Sequence, residues 1–319
     1  MRIIGTGSAH PAMAVTNDRL SDFLDTSDEW IQSRTGIRQR YFISDEKLED
    51  IAAEAALKAI ENACLASSDI DFIICANMAN DYGTPTLSSM IQERIGASCP
   101  CIDIDAACAG FIYALDLANA YLHTGRMKNI LIVCAEELSK MMDWKDRSTC
   151  ILFGDGSGAA VVSVGDGYGC ASLSTVGKRD VLYQKQAMRR SPFQIGEEDE
   201  SGVVMNGREV YKMAVRYSTK DIESVLLESG VNASDINVYV LHQANKRIIE
   251  TISSYLGQPM EKFPTDIEEF GNTSSASIPI LLDALNREGK LHDGDLIMMS
   301  AFGAGFSSGA CLLKWNVKH

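Results

Sequence analysis

One cysteine stands at the junction between two predicted elements. Cys108 lies in segment 103–111, which follows an apolar run bounded by Pro100 and precedes a segment with helical periodicity up to His123. This pattern predicts a strand, a tight turn and a helix, with the thiol where the strand passes into the helix. Unpaired backbone N–H groups and the positive end of the helix dipole favour a thiolate there, the nucleophilic form of cysteine. The alternative is a buried cysteine that only fills the core.

Two further polar side chains occupy comparable places in the second half of the chain. His242 follows the apolar run 237–241, and Asn272 precedes a predicted helix that begins near Ser274. The carboxyl ends of strands are where open α/β sheets collect ligands. A cysteine, a histidine and an asparagine there could supply a nucleophile, a proton-handling or hydrogen-bonding imidazole and an amide donor. Acyl transfer through a cysteine thioester is favoured, because the residues that surround the cysteine of a papain-like protease are absent.

The elements that must position these residues recur in the same order in both halves. In the first half, predicted strands at 2–9, 71–76, 101–105, 129–135 and 159–164 alternate with helices at 48–63, 87–95 and 111–123. In the second half, strands at 169–176, 237–241, 261–263, 295–300 and 306–315 alternate with helices at 210–230, 244–256 and 274–288. The repeated alternation predicts an internally duplicated α/β fold, with domains at 1–165 and 166–319. The charged segment 184–201 is predicted to be an exposed insertion.

The composition limits the classes of function. The chain has 319 residues, of which 46% are hydrophobic and 23% charged, enough for a large core. Its formal net charge of −14 argues against nucleic-acid binding, although basic residues are grouped in places. No apolar run approaches the roughly 20 residues that span a bilayer, and no signal peptide is recognisable, so we expect a cytoplasmic protein without a membrane partner. Nine cysteines without a zinc pattern predict neither a metal site nor a disulfide framework.

Several motifs resemble those of the β-ketoacyl-acyl-carrier-protein synthase III family, which belongs to the thiolase-fold condensing enzymes. They extend over nearly the whole chain, at 27–31 with 34–37, 106–111, 153–156, 242–248 and 271–279. The resemblance implies an α/β thiolase fold, with two pseudo-symmetric halves in the layer order helix/sheet/helix/sheet/helix, and a homodimer. It also implies an acyltransferase that starts type II fatty-acid biosynthesis by decarboxylative condensation of an acyl-CoA with malonyl-acyl-carrier-protein. A related enzyme of a polyketide or other secondary-metabolite pathway stays open as an alternative.

The resemblance further implies roles for individual residues. Cys108 would carry the acyl group as a thioester, and His242 and Asn272 would stabilise the enolate that forms when malonyl loses CO₂. The backbone N–H groups of Cys108 and Ala304 would form an oxyanion hole. The remaining implied sites are CoA binding at Trp30, Arg34, Arg147, Gly207 and Asn245, an acyl pocket at Thr84 and Phe302, and carrier-protein binding at Lys212 and Arg247. Acyl-CoA is a substrate, so no cofactor is expected.

Two other functions stay open at this point. A non-decarboxylating transferase such as a thiolase would use a second cysteine in the glycine-rich turn 302–309, which has none. A non-catalytic module that binds acyl-CoA or carrier protein would not need Cys108, His242 and Asn272, which are all present. Some relatives carry a bulky aromatic residue where this chain has Thr84, which indicates room for a larger primer. The identity of the primer is left open by the sequence.

Overall fold

The computed structural model describes residues 1–185 and 202–317. The strands are β1 (Arg2–Ala9), β2 (Met13–Thr16), β3 (Gln39–Phe42), β4 (Phe72–Ala76), β5 (Cys101–Ile104), β6 (Asn129–Glu136), β7 (Gly156–Ser163), β8 (Tyr168–Thr175), β9 (Leu182–Tyr183), β10 (Val204–Met205), β11 (Val238–Leu241), β12 (Leu296–Gly303) and β13 (Ser307–Lys314). The α-helices are α1 (Asn17–Ser21), α2 (Asp28–Thr35), α3 (Leu48–Asn62), α4 (Leu87–Arg94), α5 (Gly110–His123), α6 (Gly207–Ser229), α7 (Lys246–Leu256), α8 (Ile267–Phe270) and α9 (Ser277–Arg287). None of the helices in these two ranges combines the length and the apolar character needed to cross a membrane.

Two mixed sheets form the framework of the molecule. The first has the order β1-β7-β6-β4-β5, and the second has the order β11-β12-β13-β8. β4 pairs in parallel with β5 and β6, and β11 pairs in parallel with β12, while the other neighbours in these sheets are antiparallel. The predicted division at 165/166 falls in the turn between β7 and β8. That the two halves are separate domains stays a prediction.

Helices cover both faces of each sheet, because successive strand residues point to opposite sides. On β4, Ile73 packs with the apolar side chains of α3 and α4, whereas Ile74 packs with those of α5 and α9. On β12, Met298 packs with α6 and α7, whereas Met299 joins the cluster around α5 and α9. α5 and α9 therefore lie between the two sheets. The predicted layer order helix/sheet/helix/sheet/helix is confirmed.

One short element differs from the prediction. Residues 261–263, predicted as a strand, overlap a 3-10 helix over Met260–Lys262 that follows Pro259. Phe263 instead buries its ring, which stacks on Tyr239 with 4.5 Å between the ring centres. Three residues are too few for a period of two to be distinguished from a turn. The other predicted elements lie within a few residues of their predicted bounds, and the predicted insertion, beyond position 185, lies outside the described residues.

Candidate active site

Cys108 lies in the turn between β5 and α5, as predicted. This turn is a 3-10 helix over Ala107–Ala109, and Ala107 has a φ of +49°, which is uncommon for a residue with a side chain. The N–H of Ala107 donates to Oδ1 of Asp105 at 2.9 Å and holds the turn. From the other half of the chain, Gly303 passes so close that a Cβ there would be 2.6 Å from the Cys108 nitrogen. Both halves therefore position the nucleophile.

The thiol of Cys108 is not held as a thiolate in the free protein. Burial raises its pKa to about 12, and this effect exceeds that of Ser274, whose Oγ lies 3.2 Å from Sγ and lowers the pKa. The expectation of a thiolate favoured by the helix start is therefore wrong. A residue's place at a helix start does not show how deeply distant parts of the chain bury it, and burial disfavours the charged form. The thiol must lose its proton during the reaction.

His242 follows β11 and is held as a neutral imidazole. Its backbone N–H donates to the Ser300 carbonyl at 2.9 Å, which continues the strand pairing by one residue. Its Nδ1 lies 2.7 Å from Oγ of Ser277, and its ring meets that of Phe302 edge-on at 5.3 Å. Burial lowers the pKa of His242 to about 3. A neutral ring with Nδ1 occupied leaves Nε2 for a substrate.

Asn272 is positioned by main-chain bonds to the segment that precedes β7. Its N–H donates to the Leu152 carbonyl at 2.8 Å, and its carbonyl accepts from the Gly154 N–H at 3.0 Å. Its side-chain Oδ1 accepts from the Ser274 N–H at 2.8 Å. Because the side-chain oxygen is occupied, the amide nitrogen is the atom available as a donor to a substrate.

Two cavities meet at Cys108. The first has a volume of about 440 Å³, and its apolar lining includes Met78, Leu138, Met141, Met142 and Val203. The second has a volume of about 270 Å³, and its lining includes Trp30, Arg34, Ala244, His242 and Asn272. Cys108, Phe153 and Leu182 line both. The second cavity thus leads from exposed Arg34 to the three predicted catalytic residues, and the first extends from the thiol into an apolar region.

The predicted CoA-binding residues cluster at the second cavity. The guanidinium carbons of Arg34 and Arg147 lie 4.5 Å and 5.2 Å from the centre of the Trp30 ring. Gly207 and Asn245 belong to the lining of the same cavity. An aromatic plane flanked by two guanidinium groups can bind a flat base and an anionic phosphate. The structure therefore brings all five predicted residues to one region.

The two predicted acyl-pocket residues do not lie together. Phe302 lines the second cavity beside His242, not the methionine-lined first cavity. Thr84 is exposed and lines neither cavity. Ala304, predicted for the oxyanion hole, lines the first cavity together with Cys108.

The predicted carrier-protein residues lie on two neighbouring helices. Lys212 is on α6, where its Nζ pairs with Oε1 of Glu209 at 2.7 Å, and Arg247 is exposed in the first turn of α7. The Tyr211 hydroxyl lies 2.6 Å from Oγ1 of Thr251 and connects the two helices. Both positive charges are thus on one side of the molecule.

Sequence reasoning missed several residues of the site. Glu136 ends β6 beside the catalytic residues, and a polar residue after a buried strand is the same signal that indicated His242. Ser274 and Ser277 contact Cys108 and His242 directly. Their position in a run of serines gave no signal, because serine is common at helix starts.

Comparison with known proteins agrees with this geometry. Models of 3-oxoacyl-[acyl-carrier-protein] synthase III and of its C-terminal region match residues 102–180 and 226–315. The chain is 43% identical over 326 aligned residues to β-ketoacyl-[acyl-carrier-protein] synthase III of Clostridium acetobutylicum, with 99% of each chain covered. The chain belongs to the β-ketoacyl-acyl-carrier-protein synthase III family.

Solved structures agree with membership of the synthase III family. The crystal structure of 3-oxoacyl-[acyl-carrier-protein] synthase III from Aquifex aeolicus superposes with a TM-score of 0.92 at 39% identity, covering 98% of this chain and 99% of that one. A priming β-ketosynthase from the R1128 polyketide pathway superposes with a TM-score of 0.91 at 34% identity, covering 99% and 96%. The thiolase fold and the acyltransferase class are confirmed. In the described part of the chain, no three His, Cys, Asp or Glu side chains are grouped so as to hold a metal ion.

Proposed function

We propose that this protein joins an acyl-CoA primer to malonyl-acyl-carrier-protein by decarboxylative condensation, through a thioester on Cys108, to start fatty-acid synthesis. The observation that supports this best is the meeting of two cavities at the thiol. One cavity is polar at its catalytic end, where His242 and Asn272 line it, and the other is apolar. A thioester on Cys108 can therefore keep its acyl chain in one cavity while the second substrate enters through the other.

Priming takes place first. The CoA adenine binds at Trp30 and Arg147, and the phosphates and the pantetheine arm pass Arg34, Gly207 and Asn245 along the second cavity. The acyl chain enters the methionine-lined first cavity, whose flexible side chains adapt to chains of different shape. The backbone N–H groups of Cys108 and Ala304 stabilise the tetrahedral oxyanion.

Decarboxylation follows after CoA has left. The malonyl thioester occupies the second cavity, where Nε2 of His242 and the amide nitrogen of Asn272 donate to its carbonyl oxygen. That oxygen gains negative charge as CO₂ departs, so fixed donors act mainly in the transition state. The enolate carbon then attacks the acyl group on Cys108, the C–S bond to Cys108 breaks, and the 3-oxoacyl product leaves on the carrier protein.

The carrier protein docks at Lys212 and Arg247, which supply local positive charge on an acidic molecule. Electrostatic attraction at such a rim mainly raises the association rate. Substrates of this kind and nine free cysteines are typical of the cytoplasm.

The active unit is a homodimer formed at β5. This strand is the outer strand of the first sheet, and its Ile102 is 45% exposed. An open strand edge with an exposed apolar residue favours pairing with a second chain. Thr84 lies on the loop between β4 and α4, and this loop ends where the N–H groups of Leu87 and Ser88 donate to the carboxylate of Asp103 on β5, so Thr84 would face the partner. Light scattering on the purified protein measures the oligomeric state directly.

Acylation and condensation are tested together with a panel of short, branched and longer acyl-CoA primers. We expect intact mass to increase by one acyl group, peptide mapping to locate that group on Cys108, and malonyl-acyl-carrier-protein to yield CO₂ and a 3-oxoacyl product. Cys108→Ala should prevent both steps, whereas Cys64→Ala, at an exposed free cysteine, should leave both intact. Acylation of another cysteine, or of none with every primer, would contradict the proposal.

A polyketide-priming role is the second candidate, favoured by the likeness to the R1128 priming β-ketosynthase. Both roles use the same chemistry and differ in the carrier protein and the primer. A comparison of kcat/KM on the carrier proteins of fatty-acid synthesis and of a polyketide pathway distinguishes them.

A further inference from the structure

Glu136 is a fully buried carboxyl group next to the nucleophile. It is the last residue of β6, and its two oxygens accept hydrogen bonds from Oγ of Ser275 at 2.6 Å and from the N–H of Met78 at 3.1 Å. Burial of a carboxyl group costs free energy that two hydrogen bonds offset only in part. Glu136 is close enough to Cys108 for its charge to affect the pKa of the thiol. This position indicates that the buried carboxyl group has a function at the nucleophile.

Ser274 stands between this carboxyl group and the thiol. It is buried, its φ is +51°, and its N–H is held by Oδ1 of Asn272 at 2.8 Å. Its Oγ lies 3.2 Å from Sγ of Cys108, and the same hydroxyl is close enough to Glu136 to lower the pKa of that carboxyl. A serine hydroxyl can accept one proton while it donates another, and its hydrogen can rotate between two partners.

Glu136 is the group in this region that can take up a proton near neutral pH. Burial raises its pKa to about 7, and the charge of Asp105 raises that pKa further. The other titratable groups that face it are the thiols of Cys75, Cys108 and Cys134, whose pKa values the charge of Glu136 raises in turn.

His242 does not serve this purpose well, since burial lowers its pKa to about 3. A base with so low a pKa holds a proton only weakly at neutral pH. Its Nδ1 is also occupied by Ser277.

We propose that Glu136 accepts the proton of the Cys108 thiol through the hydroxyl of Ser274 during priming. This inference rests on the proposed function for the identity of the acyl donor, but not for the proton path. Ser274 contacts the reacting sulfur, and Glu136 is a positioning residue that acts through it.

As the bond from Sγ of Cys108 to the acyl carbon forms, the thiol proton passes to Oγ of Ser274, and the hydroxyl proton of Ser274 passes to the carboxylate of Glu136. The bond from the acyl carbon to the CoA sulfur breaks, and the departing CoA thiolate takes up one proton. Glu136 releases one proton in turn, so that one thiol is consumed and one thiol is formed.

The test measures the pH dependence of Cys108 alkylation by iodoacetamide, which requires no acyl-CoA activity. The reagent carbon bonds to Sγ, iodide leaves, and the thiol proton must go to a base. In the wild type we expect the rate on the Cys108 peptide to rise with pH to a plateau that begins near pH 7, as the carboxylate forms. In Glu136→Gln we expect this rise in rate below pH 7 to disappear, and the rate at pH 8 to fall by about ten-fold or more.

If Glu136 had a purely electrostatic or structural role, its replacement would not slow the alkylation of Cys108. The negative charge of Glu136 raises the pKa of the Cys108 thiol, so its removal alone would yield more thiolate and faster alkylation. An unchanged or increased rate in Glu136→Gln therefore overturns the proposal. Ser274→Ala should also lose the rise in rate that ends near pH 7, and this change of profile carries the test if Glu136→Gln does not fold. Loss of the hydrogen bond from Ser274 to Sγ alone would slow alkylation at every pH and keep that rise, which would contradict the proposal.

A matched control exists at a second buried carboxyl group. Asp221 accepts from Oγ of Ser308 at 2.6 Å, as Glu136 does from Ser275, but it lines neither cavity. Asp221→Asn should leave the alkylation profile of Cys108 unchanged. If the wild type is alkylated with the expected profile but is acylated by no acyl-CoA, then the proposed function fails and the proton path stands.

Discussion

Oγ of Ser277 lies 2.7 Å from Nδ1 of His242, and this contact decides what the imidazole can donate. The same Oγ accepts from the N–H of Gln243 at 3.3 Å, so the hydroxyl proton can be directed to Nδ1. Nε2 then carries the ring hydrogen, as a donor to a substrate oxygen requires. Ser277 thus holds His242 as a neutral donor rather than as a base.

Ser277→Ala should slow decarboxylation more than priming. Without the hydroxyl, the ring populates the tautomer that lacks a hydrogen on Nε2, so we expect CO₂ release by pre-acylated enzyme to fall by about ten-fold. Acylation of Cys108 should change by less than about three-fold, because His242 serves the malonyl group. Ser253→Ala, at a buried serine that bonds to the Gln258 carbonyl, is the control. Equal losses in both steps would contradict this assignment.

Gly303→Ala should disturb the nucleophile from a distance in sequence. The added Cβ would lie 2.6 Å from the Cys108 nitrogen and 2.9 Å from the Cβ of Ala107, so the turn that carries the thiol must shift. We expect acylation by acyl-CoA to slow by about 100-fold, because the donor N–H and the thiol move together. A Cβ on Gly177 would meet no atom within 4 Å, so Gly177→Ala is the matched control. Stopped-flow acylation measures both variants.

Much of this framework could be predicted because local pattern and burial agree. The predicted strand 129–135 is observed as Asn129–Glu136, and the cysteine lies in the predicted turn. Short buried runs bounded by turns determine such strands without help from distant residues. The prediction of a strand at 261–263 was wrong because three residues are too few to show a period. The packing of Phe263 on Tyr239 decides the conformation of this segment instead.

The chemistry of the site was harder to predict, because it depends on contacts between the two halves. The pKa of Cys108 is raised by burial to which Gly303 and Ser274, far away in the chain, contribute. Phe302 and Thr84 likewise could not be assigned to a cavity without knowledge of which side chains share its walls. Contacts such as that between Ser274 and Cys108, which are 166 residues apart, leave no periodic pattern in a single sequence.

Trp30→Ala should weaken CoA binding and leave the chemistry intact. Arg147 stands 5.2 Å from the ring centre and also donates to the carboxylate of Asp25 at 3.0 Å. An adenine ring between Trp30 and Arg147 would need a contact of about 3.5 Å on each of its faces, so Arg147 must move outward when CoA binds. We expect KM for acyl-CoA to rise by about ten-fold with little change in kcat. An acyl-pantetheine, which lacks the nucleotide, should react equally well with both proteins, and a loss with this substrate would contradict the prediction.

Arg247→Glu should impair the use of the carrier protein alone. Reversal of an exposed charge at a docking rim mainly lowers the association rate with an acidic partner. We expect kcat/KM for malonyl-acyl-carrier-protein to fall by about ten-fold, and the remaining activity to depend less on salt. Acylation by acyl-CoA should change little. Lys290→Glu, at an exposed lysine outside both cavities, controls for net charge. If both variants lose activity equally, Arg247 does not define the docking site.

Asp266→Asn should change how the stability of the protein depends on pH. Asp266 precedes α8, and its Oδ2 is buried without a hydrogen-bond partner in the described part of the chain. Burial, followed by the charge of Glu268, raises its pKa from 3.8 to about 8. Between these values the folded protein keeps a proton that the unfolded chain releases. The contribution of this carboxyl group to stability is therefore full below pH 3.8 and is lost as the pH rises toward 8.

Asparagine has no such proton and keeps nearly the same shape. The free energy of unfolding of Asp266→Asn, relative to the wild type, should therefore increase with pH, by at most about 1.4 kcal/mol for each pH unit. Urea unfolding at pH 5 and at pH 8, monitored by circular dichroism, measures this difference. The stability of the variant relative to the wild type should be greater at pH 8 than at pH 5. A difference that is equal at the two pH values would show that Asp266 is already ionised in the folded protein, with its buried oxygen solvated.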